Sequence, residues 1–211
     1  MKDEKLGSIS TREKILKASL ALFSTKGFRS TTVRDIAAET GIRAGGIYNH
    51  FDSKEAILET LIDELMSSAI VTIFEDKEAQ ELAQKGKQLL GNIAKTFKLM
   101  SFDKKNEALF KLLMQELYKN ERIRDLYLEY FYQQNVKKLS AIFFLMMQNE
   151  TINSSDPLLL ANEFLSPLFF YQSQIVLLKI DDKSTSSAVM LFEKHVDFFW
   201  DRIKYEKSSI F

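Results

Sequence analysis

Two histidines, His50 and His195, and no cysteine set a narrow limit on the catalytic and metal chemistry open to this 211-residue chain. The histidines lie far apart, and neither has a second ligand or an orienting acid at useful spacing, so a multi-histidine site is not expected. Without a thiol there is no disulfide framework, no thiolate metal site and no cysteine nucleophile. No glycine-rich phosphate loop occurs, and carboxylates such as Glu116 and Glu121 read as solvated helix surface. The chain therefore reads as a non-enzyme that needs neither a metal nor a cofactor.

A different chemistry is concentrated in Thr32–Lys54, TVRDIAAETGIRAGGIYNHFDSK. Its charges belong to a basic head: residues 1–54 carry ten Lys/Arg against six Asp/Glu, a net +4 that the remaining residues offset with −4. A basic head on an acidic body suits a surface that meets a polyanion at one end only. The apolar spacing predicts two short helices, from Thr32 to Gly41 and from Arg43 to His50. Helices this short are not stable alone, so flanking helices must hold them. Ala37 is small where the pair cross, Gly41 permits the turn, and Ile42 and Ile47 fill the angle. That is the pattern of a helix-turn-helix, whose second member enters the major groove. Gly45–Gly46 inside the second helix costs about 0.8–1.0 kcal/mol per glycine against alanine. Either the backbone there must come close to something, or GIRAGGIYN is a glycine-containing loop with no binding role.

The elements that position this segment are helical throughout. Only seven Gly and two Pro occur, too few for many strands and tight turns. Residues 1–9 are polar and aperiodic and predict an arm. Ser10 with Glu13, and Thr32 with Asp35, have capping-box spacing. Asp52 and Glu55 suggest a further cap for a long fourth helix with the stripe Leu58, Leu61, Ile62, Leu65, Met66, Ala69, Ile73. Helices are expected near 78–101, 105–119 and 121–149, the last with Leu128, Tyr132, Val136, Leu139, Phe143 and Met147 on one side. Asp156 before Pro157 marks the start of another, running to about Ile180. The last spans about 185 to 205. Pro167 inside the penultimate helix predicts a kink. No apolar run approaches the roughly 20 residues that a membrane-spanning helix needs, so no membrane partner is expected and the cytoplasm is the expected location.

The stretch TREKILKASLALFSTKGFRSTTVRDIAAETGIRAGGIYNHFDSKEAIL resembles the DNA-binding domain of the tetracycline-repressor (TetR) family. The elements that carry the likeness are the first helix ending before KGF, then TTVRDIA, the turn Gly41-Ile42, and IYNHF followed by SKE. The resemblance implies an all-α fold: a three-helix DNA-binding domain with a helix-turn-helix, then a helical regulatory and dimerisation domain. The boundaries would be 1–51 and 52–211. It also implies roles for individual residues. Thr32 and Arg34 would contact phosphate or a groove edge, and Arg43, Ala44 and Gly46 would face bases, with a further contact from Asn49. Tyr48 and His50 would touch phosphate, and Lys54 would grip phosphate at the start of the fourth helix. Where family members often begin the third helix with Ser or Thr, this chain has Arg43. The surface offered to bases is bare apart from Arg43 and Asn49. Arg commonly reads guanine bidentately, so at least one G·C pair per half-site is expected.

The segment Pro157–Ile180 holds only two charged residues, Glu163 and Lys179, and so needs covering on nearly all sides. It is either a central core helix or part of a homodimer interface made by the last two long helices, which the resemblance favours. A small-molecule site would lie among the middle helices, with Met66, Phe97, Met100, Phe110, Met114, Tyr127, Phe131, Gln134, Phe170 and Gln174 as candidate lining. Such a lining suits an apolar or amphipathic molecule. The function these readings imply is a ligand-responsive regulator, a repressor released from a near-palindromic double-stranded DNA operator. The alternative is a helix-turn-helix protein that acts without ligand or under a protein partner.

Overall fold

Two reciprocal caps start the first two helices of the structure, a computed structural model that describes residues 9–67 and 79–206. The expected arm, and Ala69 and Ile73 of the fourth-helix stripe, lie outside the described residues. Ser10 Oγ accepts from the Glu13 amide at 3.2 Å while the Glu13 carboxylate accepts from the Ser10 amide at 2.9 Å. Thr32 and Asp35 repeat the arrangement at 3.2 and 2.7 Å. Each cap satisfies amides that the first helical turn would leave orphaned. They define α1 (Thr11–Lys26) and α2 (Val33–Thr40). Then follow α3 (Ala44–Ile47) and α4 (Lys54–Ser67). Gly41 closes α2 in the left-handed region at φ 67°, which an L side chain rarely adopts.

Past the undescribed stretch come α5 (Ala79–Gln84), α6 (Lys87–Met100), α7 (Lys104–Glu116) and α8 (Glu121–Tyr127). A nine-residue π segment, Leu128–Val136, runs into α9 (Lys137–Gln148). The chain ends with α10 (Pro157–Ile180) and α11 (Ser186–Ile203). Among the described residues the only extended pairing is an isolated antiparallel bridge, Ile152 to Lys204. No described helix is long and apolar enough to cross a membrane.

The described residues fall into two compact units. One takes the chain up to Leu65 together with Ala108–Arg124; the other takes Met66–Glu107 and everything from Asp125. The boundary expected at 51/52 falls just before α4, most of which belongs to the first unit. In that unit Ile15, Phe23, Ile36, Ile57, Leu58 and Ile62 are fully buried. Arg12 lies over the Phe51 ring at 4.9 Å. Glu116, expected at the solvated surface, is 4% exposed, because it continues the inward face of Leu109, Leu112 and Leu113 along α7. The second unit is built around Phe97, Phe143, Phe164, Leu168 and Phe192, contributed by α6, α9, α10 and α11. Burial of each such side chain contributes about 1.5–3 kcal/mol.

Four expected features differ. The helix predicted over 78–101 breaks at Gly86, where φ is +51° and a Cβ would come within 3.1 Å of the Trp200 ring. Tertiary packing, with Trp200 brought from the far end of the sequence, sets that break. The third helix is four residues long, with Arg43 as its N-cap and Tyr48 as its C-cap, not an eight-residue helix to His50. The cap of α4 is Ser53, whose hydroxyl accepts from the Ala56 amide at 3.0 Å, in place of the Asp52/Glu55 pair. The π segment also turns Leu128 outward, 57% exposed, although the α period places it with Val136 and Leu139.

Helix α10 runs without interruption through Pro167. Proline removes the donor for the carbonyl four residues back and disturbs the turn around it. Here the neighbouring carbonyl, that of Phe164, accepts from His195 Nε2 at 2.9 Å, which fixes the histidine as the Nε2–H tautomer. The ring stacks on Phe164 and lies against Tyr171 and Phe199. Burial holds its pKa below the ordinary value of 6.5, opposed by the Phe164 hydrogen bond and by Glu163. The unfolded chain therefore takes up this proton first as pH falls. Stability from this group is complete above about pH 6.5 and declines as pH drops towards the folded pKa. In urea titrations from pH 8 to 5, the decline should be shallower in His195→Gln than in the parent. Equal slopes would remove His195 from the account.

Candidate nucleic-acid interface

The α2–α3 pair is held where the chain enters it and where it leaves. At the entry, Lys54 Nζ donates to the carbonyls of Phe28 and Thr31, both at 2.8 Å, and lies 4.3 Å from the centre of the Phe28 ring. Phe28 in turn meets Phe23 edge to face, with centroids 5.2 Å apart. One ammonium thus ties the start of α4 to the loop that feeds α2. At the exit, Ile47 is buried, and its carbonyl accepts the amides of His50 and Phe51.

On this support the residues expected to meet DNA are distributed as follows. Arg34, Arg43, Tyr48, Asn49 and His50 are exposed, with Tyr48 at 54%. Neither Arg34 nor Arg43 has an ion-pair partner among the described residues. Ala44 and Gly46 are half-buried. Thr32 is exposed, but its hydroxyl is engaged with Asp35, donating to the carboxylate at 2.7 Å. The Thr32 backbone and hydroxyl bonds hold the Asp35 carboxyl below its ordinary pKa, which favours the carboxylate that accepts both of them. Lys54 differs most from its expected place, since the two carbonyls occupy its ammonium and leave one donor.

The body residues separate into groups. Tyr127 and Phe131 stack at 5.3 Å and 9°, and both meet Phe169 at 5.7 and 5.6 Å. Gln134 and Gln174 are half-buried, and Phe97 and Met100 are buried within α6. Phe110 and Met114 belong to the first unit, while Met66 opens the second. Phe170 is 64% exposed on the outer face of α10, which corrects its placement as pocket lining. In a helix apolar all round, pattern alone could not separate Phe169, which turns inward, from Phe170. Sequence reasoning also passed over Asn135 and Gln172, 4% and 2% exposed. Asn135 Oδ1, Gln172 Nε2 and Gln174 Oε1 are buried without a hydrogen-bond partner. An amide inside an otherwise apolar stripe was the available signal. A groove of about 530 Å³ between α6 and α11 is floored by Ala94, Phe192 and Val196; none of the predicted ligand residues lines it. Among the described residues no group of His, Asp or Glu could hold a metal ion.

A helix-turn-helix carried at the amino terminus of an all-helical chain defines the general class, and comparison with known proteins makes it specific. Residues 15–61 match the family described as bacterial regulatory proteins, tetR family. Over these residues the chain carries a TetR-family domain. It is 42% identical over 60 residues to the HTH-type transcriptional repressor KstR2 of Rhodococcus jostii, covering 28% of this chain and 29% of that protein. Over 47 residues it is 53% identical to the HTH-type transcriptional regulator YerO of Bacillus subtilis, covering 22% and 16%. These alignments span less than a third of each relative. The fold likeness reaches further: the SmeT–triclosan complex superposes with TM-score 0.71 at 17% identity, covering 95% of this chain and 94% of that one.

Proposed function

We propose that the chain is a DNA-binding transcription regulator, a homodimeric repressor released from a near-palindromic operator by a small apolar or amphipathic molecule. The observation that carries the DNA-binding part is the exposed set Arg43, Tyr48, Asn49 and His50 around α3, in a helix pair anchored by Lys54 and by the Thr32–Asp35 capping box. The match of residues 15–61 to the TetR family supports the same reading. A regulator of this kind works in the cytoplasm.

Support for a ligand comes from the second unit, where three aromatic rings adjoin a π segment. π-Helical turns recur at functional sites. Asn135 and Gln172 leave buried polar atoms unpartnered, each at a cost of about 1–3 kcal/mol, which a hydrogen-bonding ligand would relieve. One structural neighbour is a complex with triclosan. The ligand acts by preferring one of two body conformations, so a ~100-fold release requires about 2.7 kcal/mol of differential affinity.

Selection of duplexes from a random pool by the purified chain, followed by compounds screened for release, tests the proposal. A recovered inverted repeat is the expected result; recovery of no preferred sequence would defeat it. Arg43→Ala should weaken binding to the selected duplex by about 1–3 kcal/mol and relax the preference at one G·C pair per half-site. Unchanged affinity and preference would exclude Arg43 as the base reader.

A further inference from the structure

Adjacent glycines in α3 have different physical reasons for being glycine. A Cβ on Gly46 would lie 2.8 Å from Ile42 Cγ2, inside the turn. The protein's own packing excludes a side chain there. Gly45 has no such reason. Its φ is not positive, and nothing lies within 4 Å of where its Cβ would be. It is exposed, as are Arg43 two residues before it and Tyr48 three residues after it. Helix propensity favours alanine at this position, because glycine loses more backbone freedom when the helix forms. The isolated chain therefore gains nothing from a bare Gly45.

We infer that Gly45 is the point at which duplex DNA approaches α3 more closely than a Cβ permits, and so determines how deeply the helix seats in the groove. The inference rests on the DNA-binding reading above. A bare backbone lets a partner surface advance by about the radius of the missing methyl group, and an added methyl at a well-packed contact acts as overpacking. Seating depth also sets whether Arg43 reaches a base edge, so Gly45 governs specificity through a contact made by its neighbour.

The test opposes two signs. Gly45→Ala in the full-length chain should melt at or above the parent temperature, because alanine is the better helix former and meets no neighbour. Its affinity for the duplex that the parent selects should nevertheless fall roughly tenfold or more. Gly45→Val should lose more affinity than Gly45→Ala. Binding by Gly45→Ala equal to or tighter than the parent, with unchanged melting, overturns the inference while the parent's own binding leaves the DNA-binding reading intact. A parent that selects no duplex overturns both.

Discussion

Lys54→Met should lower the melting temperature by about 4–8 °C, the shift that some 2 kcal/mol produces in a chain of this size. The methionine keeps the length and apolar stem of lysine and removes only the ammonium. Two carbonyls, of Phe28 and Thr31, then lose a charged donor, and Phe28 loses the cation over its ring. Hydrogen bonds to charged groups are worth about 1.5–3 kcal/mol each; partial exposure of the site reduces their sum. The loop entering α2 should loosen, and DNA affinity should fall with it. A lysine acting only on phosphate gives a different result: unchanged melting, with the salt dependence of binding reduced by about one unit of slope. Thermal unfolding and a salt titration of the same variant separate the two.

The double substitution Phe170→Glu, Leu177→Glu should convert the proposed dimer to a monomer and abolish operator binding at ordinary concentrations. Phe170 and Leu177 are 64% and 65% exposed and lie two turns apart on α10, with Leu159 and Ile180 continuing the face. Met190 and Phe198, also exposed, add apolar area on α11. A two-fold interface uses each side chain twice, so four apolar contacts become four carboxylates. At about 1.5 kcal/mol or more for each, the dimer weakens by some 6 kcal/mol, about four decades in dissociation constant. Both side chains point away from their own core, so circular dichroism should be unchanged. A variant that still sediments as a dimer would exclude this face. DNA binding suffers because two recognition helices need a spacing of about 34 Å to read successive grooves.

Local signals were legible where the chemistry is local. Ser10 with Glu13, Thr32 with Asp35 and Asp156 before Pro157 each form the cap that their spacing predicts. Gly41 turns where the helix pair requires it. What sequence did not show was decided by distant partners. Gly86 breaks a helix to accommodate Trp200, and Lys54 turns inward to carbonyls more than twenty residues away. The exposed residues Arg43, Tyr48, Asn49 and His50 were readable from the helix-turn-helix spacing, although the helix they surround is half the expected length. The body was harder to read. An apolar stripe records that a helix is covered without saying by what, so Phe169 and Phe170 looked alike.

The π segment has a consequence for how this chain tolerates length change. Its hydrogen bonds close one residue later than those of an α turn, so Leu128–Val136 holds a residue more than a regular helix needs. A single deletion there lets the run from Glu121 to Gln148 continue in α register, with the faces at both ends preserved. The same deletion at Ser140 turns everything after it by about 100°, carrying Ile142, Phe143 and Met146 out of the core. Soluble yield of the two deletions should differ accordingly. The widened turn is the spare link that lets this part of the chain be shortened.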